Sequence, residues 1–164
     1  MKVAKRRRRE NKTNYSKRLK MLKGETPRIV VRKTNKYIIA QYITSSAAQD
    51  KIEMGINSKK LLNHGWPKNF AGSLKSIPAA YLTGYLFGKT LQKEKKEAPI
   101  VDFGMAQTLH KTKLFAFLKG AIDAGIEIKC KKEAFPEEEK IQGKNLKQDF
   151  STIFREIKSN LEKI

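Results

Sequence analysis

The sequence predicts a mixed α/β fold, a five-stranded sheet with helices packed against it. Three observations carry this. A hairpin of two apolar, β-branched runs lies near the front. A strand-helix-strand-helix-strand order follows it. The apolar residues that remain are numerous enough for a core, with eight Phe, five Tyr and one Trp in 164 residues. The hairpin implies antiparallel pairing, and the strand-helix-strand unit implies parallel pairing with a right-handed crossover. Together they give a mixed sheet covered by helices.

The elements follow in order. Residues 1–13 contain Lys5-Arg6-Arg7-Arg8-Arg9 and almost nothing apolar, so they are expected to stay disordered without a partner. Asn14 is placed to cap a helix over 15–23, with Tyr15, Leu19 and Leu22 on one side and Gly24 at its end. Pro27 opens a strand over 28–33. Thr34-Asn35 reads as a two-residue turn into a second strand over 36–44. Residues 45–50 are turn-like, and 51–57 form a third strand. Ser58 caps a short helix through Leu62, and 63–76 reads as an irregular loop.

Pro78 suits the first turn of a helix over 77–96. Ala80, Gly84 and Gly88 recur every four positions in it, a stripe able to approach a neighbouring element closely. Residues 98–103 form a fourth strand and 104–112 a loop. A second core helix covers 113–124 and stops at Gly125. Residues 126–130 supply the fifth strand. Beyond Lys131, Pro136-Glu137-Glu138-Glu139 starts a helical turn. Phe150, Ile153, Phe154, Ile157, Leu161 and Ile164 then trace one face of an amphipathic helix, which covers the chain's own apolar surface or, alternatively, a neighbouring protein. The division is therefore a basic arm with a short helix (1–24), an α/β domain (25–130) and a helical extension (131–164).

Charge bounds the function. The formal net charge is +20. Residues 1–36 hold 15 Lys/Arg against Glu10 and Glu25, so most of the excess sits at the front. Self-repulsion of that size opposes compaction unless a polyanion offsets it. A basic run also reads as a solvated tail, but such arms commonly bind nucleic acid. No apolar run is long enough to span a bilayer. Cys130 is the single cysteine, which excludes an intrachain disulfide and a cysteine-based metal site and fits a reducing compartment.

Enzymatic readings find little support. Gly84-Tyr85-Leu86-Phe87-Gly88-Lys89-Thr90 has three residues between its glycines where a phosphate-binding loop needs four, and it falls mid-helix. Asp102 at a strand end and His110 in the next loop have no nucleophile or metal partner, and His64 with His110 makes no convincing metal site. A ribonuclease-H-like sheet is the architecture that this strand order suggests. Nucleases of that type hold two metals on clustered carboxylates. The first strand here offers Arg28, Arg32 and Lys33 instead.

Three segments carry a resemblance: Pro27 through Gln41 (PRIVVRKTNKYIIAQ), Pro78 through Gly84 (PAAYLTG) and Phe117 through Ile128 (FLKGAIDAGIEI). In order and spacing, with Asp102 and Gly104 between them, they resemble the family of large ribosomal subunit protein eighteen, in its archaeal form. That family binds 5S rRNA and is homologous to the eukaryotic large-subunit protein five. The resemblance covers about 6–141. It implies a ribonuclease-H-like fold without nuclease activity and no cofactor. It implies a cytoplasmic place in the large ribosomal subunit, at the central protuberance. Its partners would be 5S rRNA, 23S-type large-subunit rRNA and neighbours of the L-five family, with no membrane.

Family RNA contacts carry over to the arm (Lys5, Arg6, Arg7, Arg8, Arg9, Lys12, Tyr15, Lys17, Arg18). They carry over to the hairpin (Arg28, Arg32, Lys33, Asn35, Lys36). They extend to the loops at Trp66, Lys68, Asn69, His110, Lys111 and Lys113. Arg supplies bidentate phosphate recognition and Lys a mobile point charge. Tyr15 and Trp66 are candidates for stacking on a base, with a core role as the alternative.

Overall fold

The computed structural model describes residues 3–146 and 149–163. Its sheet has four strands in the order β3-β2-β1-β4: β1 (Arg28–Lys33), β2 (Ile38–Ser46), β3 (Gln49–Asn57) and β4 (Ile100–Asp102). β1 pairs antiparallel with β2, from Arg28 opposite Ile43 to Lys33 opposite Ile38. β4 runs parallel to β1, with Val30 opposite Asp102. The hairpin and the parallel crossover thus form as the sequence predicts. The turn differs. Residues 34–37 make the connection, closed by the Thr34 N–H on the Tyr37 carbonyl (2.8 Å) and the Tyr37 N–H on the Thr34 hydroxyl (2.9 Å).

The predicted fifth strand does not form. Residues 126–130 alternate as a strand should, with Ile126 buried and Ile128 and Cys130 packed on the core. Their backbone joins no ladder. β4 is only three residues long, and a cleft of about 230 Å³ lies between residues 97–99 and 125–127. Pro99 on its wall has no N–H to donate. Alternation records which side chains turn inward, and it does not record whether a backbone partner is within reach.

Among the described residues six α-helices accompany the sheet: α1 (Arg6–Arg9), α2 (Tyr15–Lys23), α3 (Ile77–Lys93), α4 (Lys113–Asp123), α5 (Glu138–Gln142) and α6 (Ser151–Glu162). Where the sequence predicts no order before residue 13, α1 is a single turn without a buried residue. The Asn14 side chain accepts from the Lys17 N–H at 3.1 Å and caps α2 as expected. The Ser76 hydroxyl caps α3, with Pro78 in its first turn. Residues 58–76 hold two 3₁₀ segments, Ser58–His64 and Lys68–Ser73, rather than one short helix and a free loop.

The core lies between one sheet face (Ile29, Val31, Ile38, Ala40, Tyr42) and helices α3, α4 and α6. α3 is buried along nearly its whole length, and its small-residue stripe meets α4 directly. A methyl built on Gly84 would fall on the Phe117 carbonyl oxygen, and one on Gly120 would fall on that of Tyr81. α6 closes the far side. Phe150 lies 4.7 Å from the Trp66 ring, Phe154 lies 5.5 Å from Tyr81, and Ile157 and Leu161 are buried. The amphipathic face therefore covers the chain's own core. Ile164, placed on that face by periodicity, lies outside the described residues.

Candidate nucleic-acid interface

The second face of the sheet, bearing Arg28, Val30 and Arg32, carries the cations. β1 alternates, so Arg28 and Arg32 share that face while Ile29 and Val31 enter the core. Arg28 is only 2% exposed. Its guanidinium donates to the Asp50 carboxylate at 2.6 Å and to the Ser45 hydroxyl at 2.8 Å. Arg18 of α2 donates to the other Asp50 oxygen at 2.9 Å. Asp50 is thus a clamp joining the arm helix to β1 and the β2–β3 hairpin. Partial burial pushes its carboxyl up. Hydrogen bonds from Arg18 and Ser45 and the charges of Arg28 and Arg18 outweigh that and hold it below the ordinary aspartate value.

Arg32 is fixed as well. It donates to the Val31 carbonyl (2.9 Å), the Asp102 carbonyl (2.8 Å) and the Asp102 carboxylate (3.1 Å). The other Asp102 oxygen accepts the Gly104 N–H at 2.7 Å. Asp102 therefore fixes the loop after β4. Gly104 has φ +64°, and a Cβ there would strike the Arg32 guanidinium. Glycine suits both the left-handed backbone conformation and this close approach.

The other candidates divide by exposure. The Lys5 ammonium sits 4.7 Å over the half-buried Tyr15 ring. Arg6 and Lys12 pair with Glu10, and Arg7 donates to the Thr13 hydroxyl. Arg8, Arg9 and Lys17 are exposed, as are Lys33, Asn35 and Lys36 around the β1–β2 turn. Lys68 and Asn69 are exposed on the Lys68–Ser73 3₁₀ segment. His110 meets Phe115 edge-on at 5.6 Å, and Lys111 pairs with Glu137 at 3.5 Å.

Two candidates need correction. Trp66 is 3% exposed, packs on Phe150 and donates its indole N–H to the Phe70 carbonyl at 3.1 Å, so it is a core residue and not a stacking platform. Arg28 is a buried structural cation and not a free phosphate ligand.

Two clefts flank Arg32. One is lined by Arg7, Lys12, Asn14, Lys17, Arg18 and Met21 from the arm and by Arg28, Arg32 and Asp102 from the sheet. The other, of about 690 Å³, runs past Lys33 to Lys113 at the start of α4. Lys12 and Arg32 line both. The arm, the hairpin and the loop after β4 therefore share one surface. Burial pushes the Lys113 ammonium below the ordinary lysine value, and the charges of Lys33 and Lys75 push it further. An anion placed there would relieve that repulsion. Lys75 belongs to this cluster and is not among the sequence candidates. Its signal, one lysine in an irregular stretch, has no pattern to find.

These features define the class: a basic α/β protein with an N-terminal arm laid beside one sheet face. Comparison with known proteins is specific. The family described as "Ribosomal large subunit proteins 60S L5, and 50S L18" matches residues 1–101. A large ribosomal subunit protein uL18 of Korarchaeum cryptofilum is 43% identical over 145 residues, covering 88% of this chain and 72% of its own. The uL18 proteins of Methanoregula boonei and Methanospirillum hungatei are 38% and 40% identical over 144 residues, each covering 88% of this chain and 80% of its own. The chain belongs to this family of large-subunit ribosomal proteins, and these relatives are archaeal. The family is one of ribosomal structural proteins, not of enzymes. No helix among the described residues is long and apolar enough to cross a membrane.

Proposed function

We propose that the chain binds 5S rRNA and ties it to the 23S-type large-subunit rRNA at the central protuberance, beside neighbours of the L-five family, in cytoplasmic ribosomes. The observation that carries this reading is the continuity of the two clefts. Arm cations, the C-terminal end of β1 and the start of α4 meet around Lys12 and Arg32. Structured RNA is recognised through shape, phosphates, 2′-hydroxyls and unstacked bases, and a fixed cationic surface with a reaching arm suits all four. The strand order 3-2-1-4 supports a ribonuclease-H-like ancestry for the sheet. Its chemistry points elsewhere, since the one acid at the β4 end, Asp102, is held by Arg32 and the Gly104 N–H.

Salt dependence tests the role of the arm. Each phosphate contact adds about −0.9 to the slope of log affinity against log salt for a duplex. Deleting residues 1–13 removes seven Lys/Arg. We expect weaker 5S rRNA binding and a slope shallower by about two or more, read by filter binding across a salt series. An unchanged slope would remove the arm from the interface.

A further inference from the structure

The larger cleft has a second property that cations alone do not explain. Its floor is apolar, built from Val31, Ile77, Phe103 and Leu114, and two apolar side chains stand open at it. Met105 is 48% exposed and Leu109 is 61% exposed. Lys12, Arg32, Lys33 and Lys113 also line it, and no carboxylate among the described residues does. Neither Lys33 nor Lys113 forms an ion pair among the described residues. The loop that presents Met105 and Leu109 is tied down at several points. The Ala106 N–H donates to the Phe103 carbonyl, the Thr112 hydroxyl to the Leu109 carbonyl (2.9 Å) and the Lys111 N–H to the Ala134 carbonyl (2.8 Å).

We propose that this cleft receives an unstacked nucleobase of the bound RNA, with Met105 and Leu109 against its faces and its flanking phosphates on Lys33 and Lys113. The inference rests on the RNA-binding reading above and deepens it. Charge selects the occupant. A groove whose charged lining residues are all cations repels basic protein segments and favours a ligand that carries an anion on each side of a flat apolar body. A nucleotide in a single-stranded loop or bulge is such a ligand, and its base needs no particular hydrogen bonds to stack. The volume of about 690 Å³ falls within the range of sites that enclose small ligands, about 300–1,000 Å³. A duplex cannot use the floor, because its bases stay stacked. The cleft therefore discriminates unpaired RNA from helical RNA, which the arm cannot do.

The test compares two variants of the full chain on purified archaeal-type 5S rRNA. The Met105→Ser, Leu109→Ser variant loses only exposed side chains. It is expected to bind at least about fivefold more weakly, with an unchanged salt slope, because stacking is not ionic. The Lys33→Gln, Lys113→Gln variant is expected to flatten the slope. Wild-type chain crosslinked to 4-thiouridine-substituted 5S rRNA should carry its adduct within residues 103–114, from an unpaired nucleotide, which needs no variant to fold. Wild-type affinity in the serine variant, with crosslinks elsewhere, would overturn the assignment of the cleft alone. Wild-type RNA affinity with lost incorporation into subunits would assign the cleft to a protein side chain and also overturn it. Failure of the wild-type chain to prefer 5S rRNA would instead overturn the proposed function.

Discussion

Replacing Gly84 or Gly120 with alanine is expected to cost about 3 kcal/mol or more of folding stability, although alanine is the better helix former by about 1 kcal/mol. The reason is the crossing of α3 and α4. The two glycines let the helices approach until backbone faces backbone. The obstacle to a methyl at Gly84 is the Phe117 carbonyl, and at Gly120 it is the Tyr81 carbonyl with the Tyr85 N–H behind it. A side chain could rotate away, but a helix backbone must move as a unit. That would separate the Phe87 and Phe117 rings, now 5.8 Å apart, and the core around them. Urea unfolding reads the effect as a lower midpoint. Gly72→Ala is the control, since nothing lies within 4 Å of its added methyl, and it should shift the midpoint little. A near-neutral Gly84→Ala would contradict the close crossing.

Phe154→Asp is expected to be as damaging, and for a different reason. Phe154 is 5% exposed and packs against Tyr81. Loss of a buried phenylalanine costs about 3–5 kcal/mol, and an unpaired carboxylate adds a desolvation penalty. That is a large part of the roughly 5–15 kcal/mol that holds a typical domain folded. Trp66 supplies the signal. It is the chain's one tryptophan, and it packs on Phe150 at the start of α6. Release of α6 should wet its ring, shift its fluorescence to longer wavelength and lower the unfolding midpoint. A stable Phe154→Asp chain with unchanged fluorescence, defective only in entering the subunit, would show instead that α6 serves a partner.

Much of this was legible before the fold was known. The cap at Asn14, the first-turn proline of α3, its small-residue stripe and the antiparallel hairpin are local patterns, fixed by neighbours a few residues apart. The fifth strand was misread because alternation at 126–130 reports burial and not pairing. Arg28 was misread as a contact, and Trp66 was left between a stacking and a core role, because their partners are distant in sequence. Asp50 reaches Arg28 only once β3 folds back, and Phe150 reaches Trp66 only once α6 docks. The exposed cations of the arm and hairpin were readable as a kind of surface. Their meeting around Lys12 and Arg32 was not, since it depends on where the loop after β4 turns. Met105 and Leu109 went unremarked because an apolar residue in a loop reads as core until its exposure is known.

The most direct test is competition. Purified full-length chain is incubated with labelled archaeal-type 5S rRNA at fixed salt, against excess unlabelled RNAs of similar length and secondary-structure content. The proposed function predicts that only unlabelled 5S rRNA competes efficiently, with other structured RNAs weaker by about tenfold or more, or at least about 1.4 kcal/mol. Equal competition by all of them would mean that the +20 chain reads charge alone, and it would contradict the assignment to 5S rRNA.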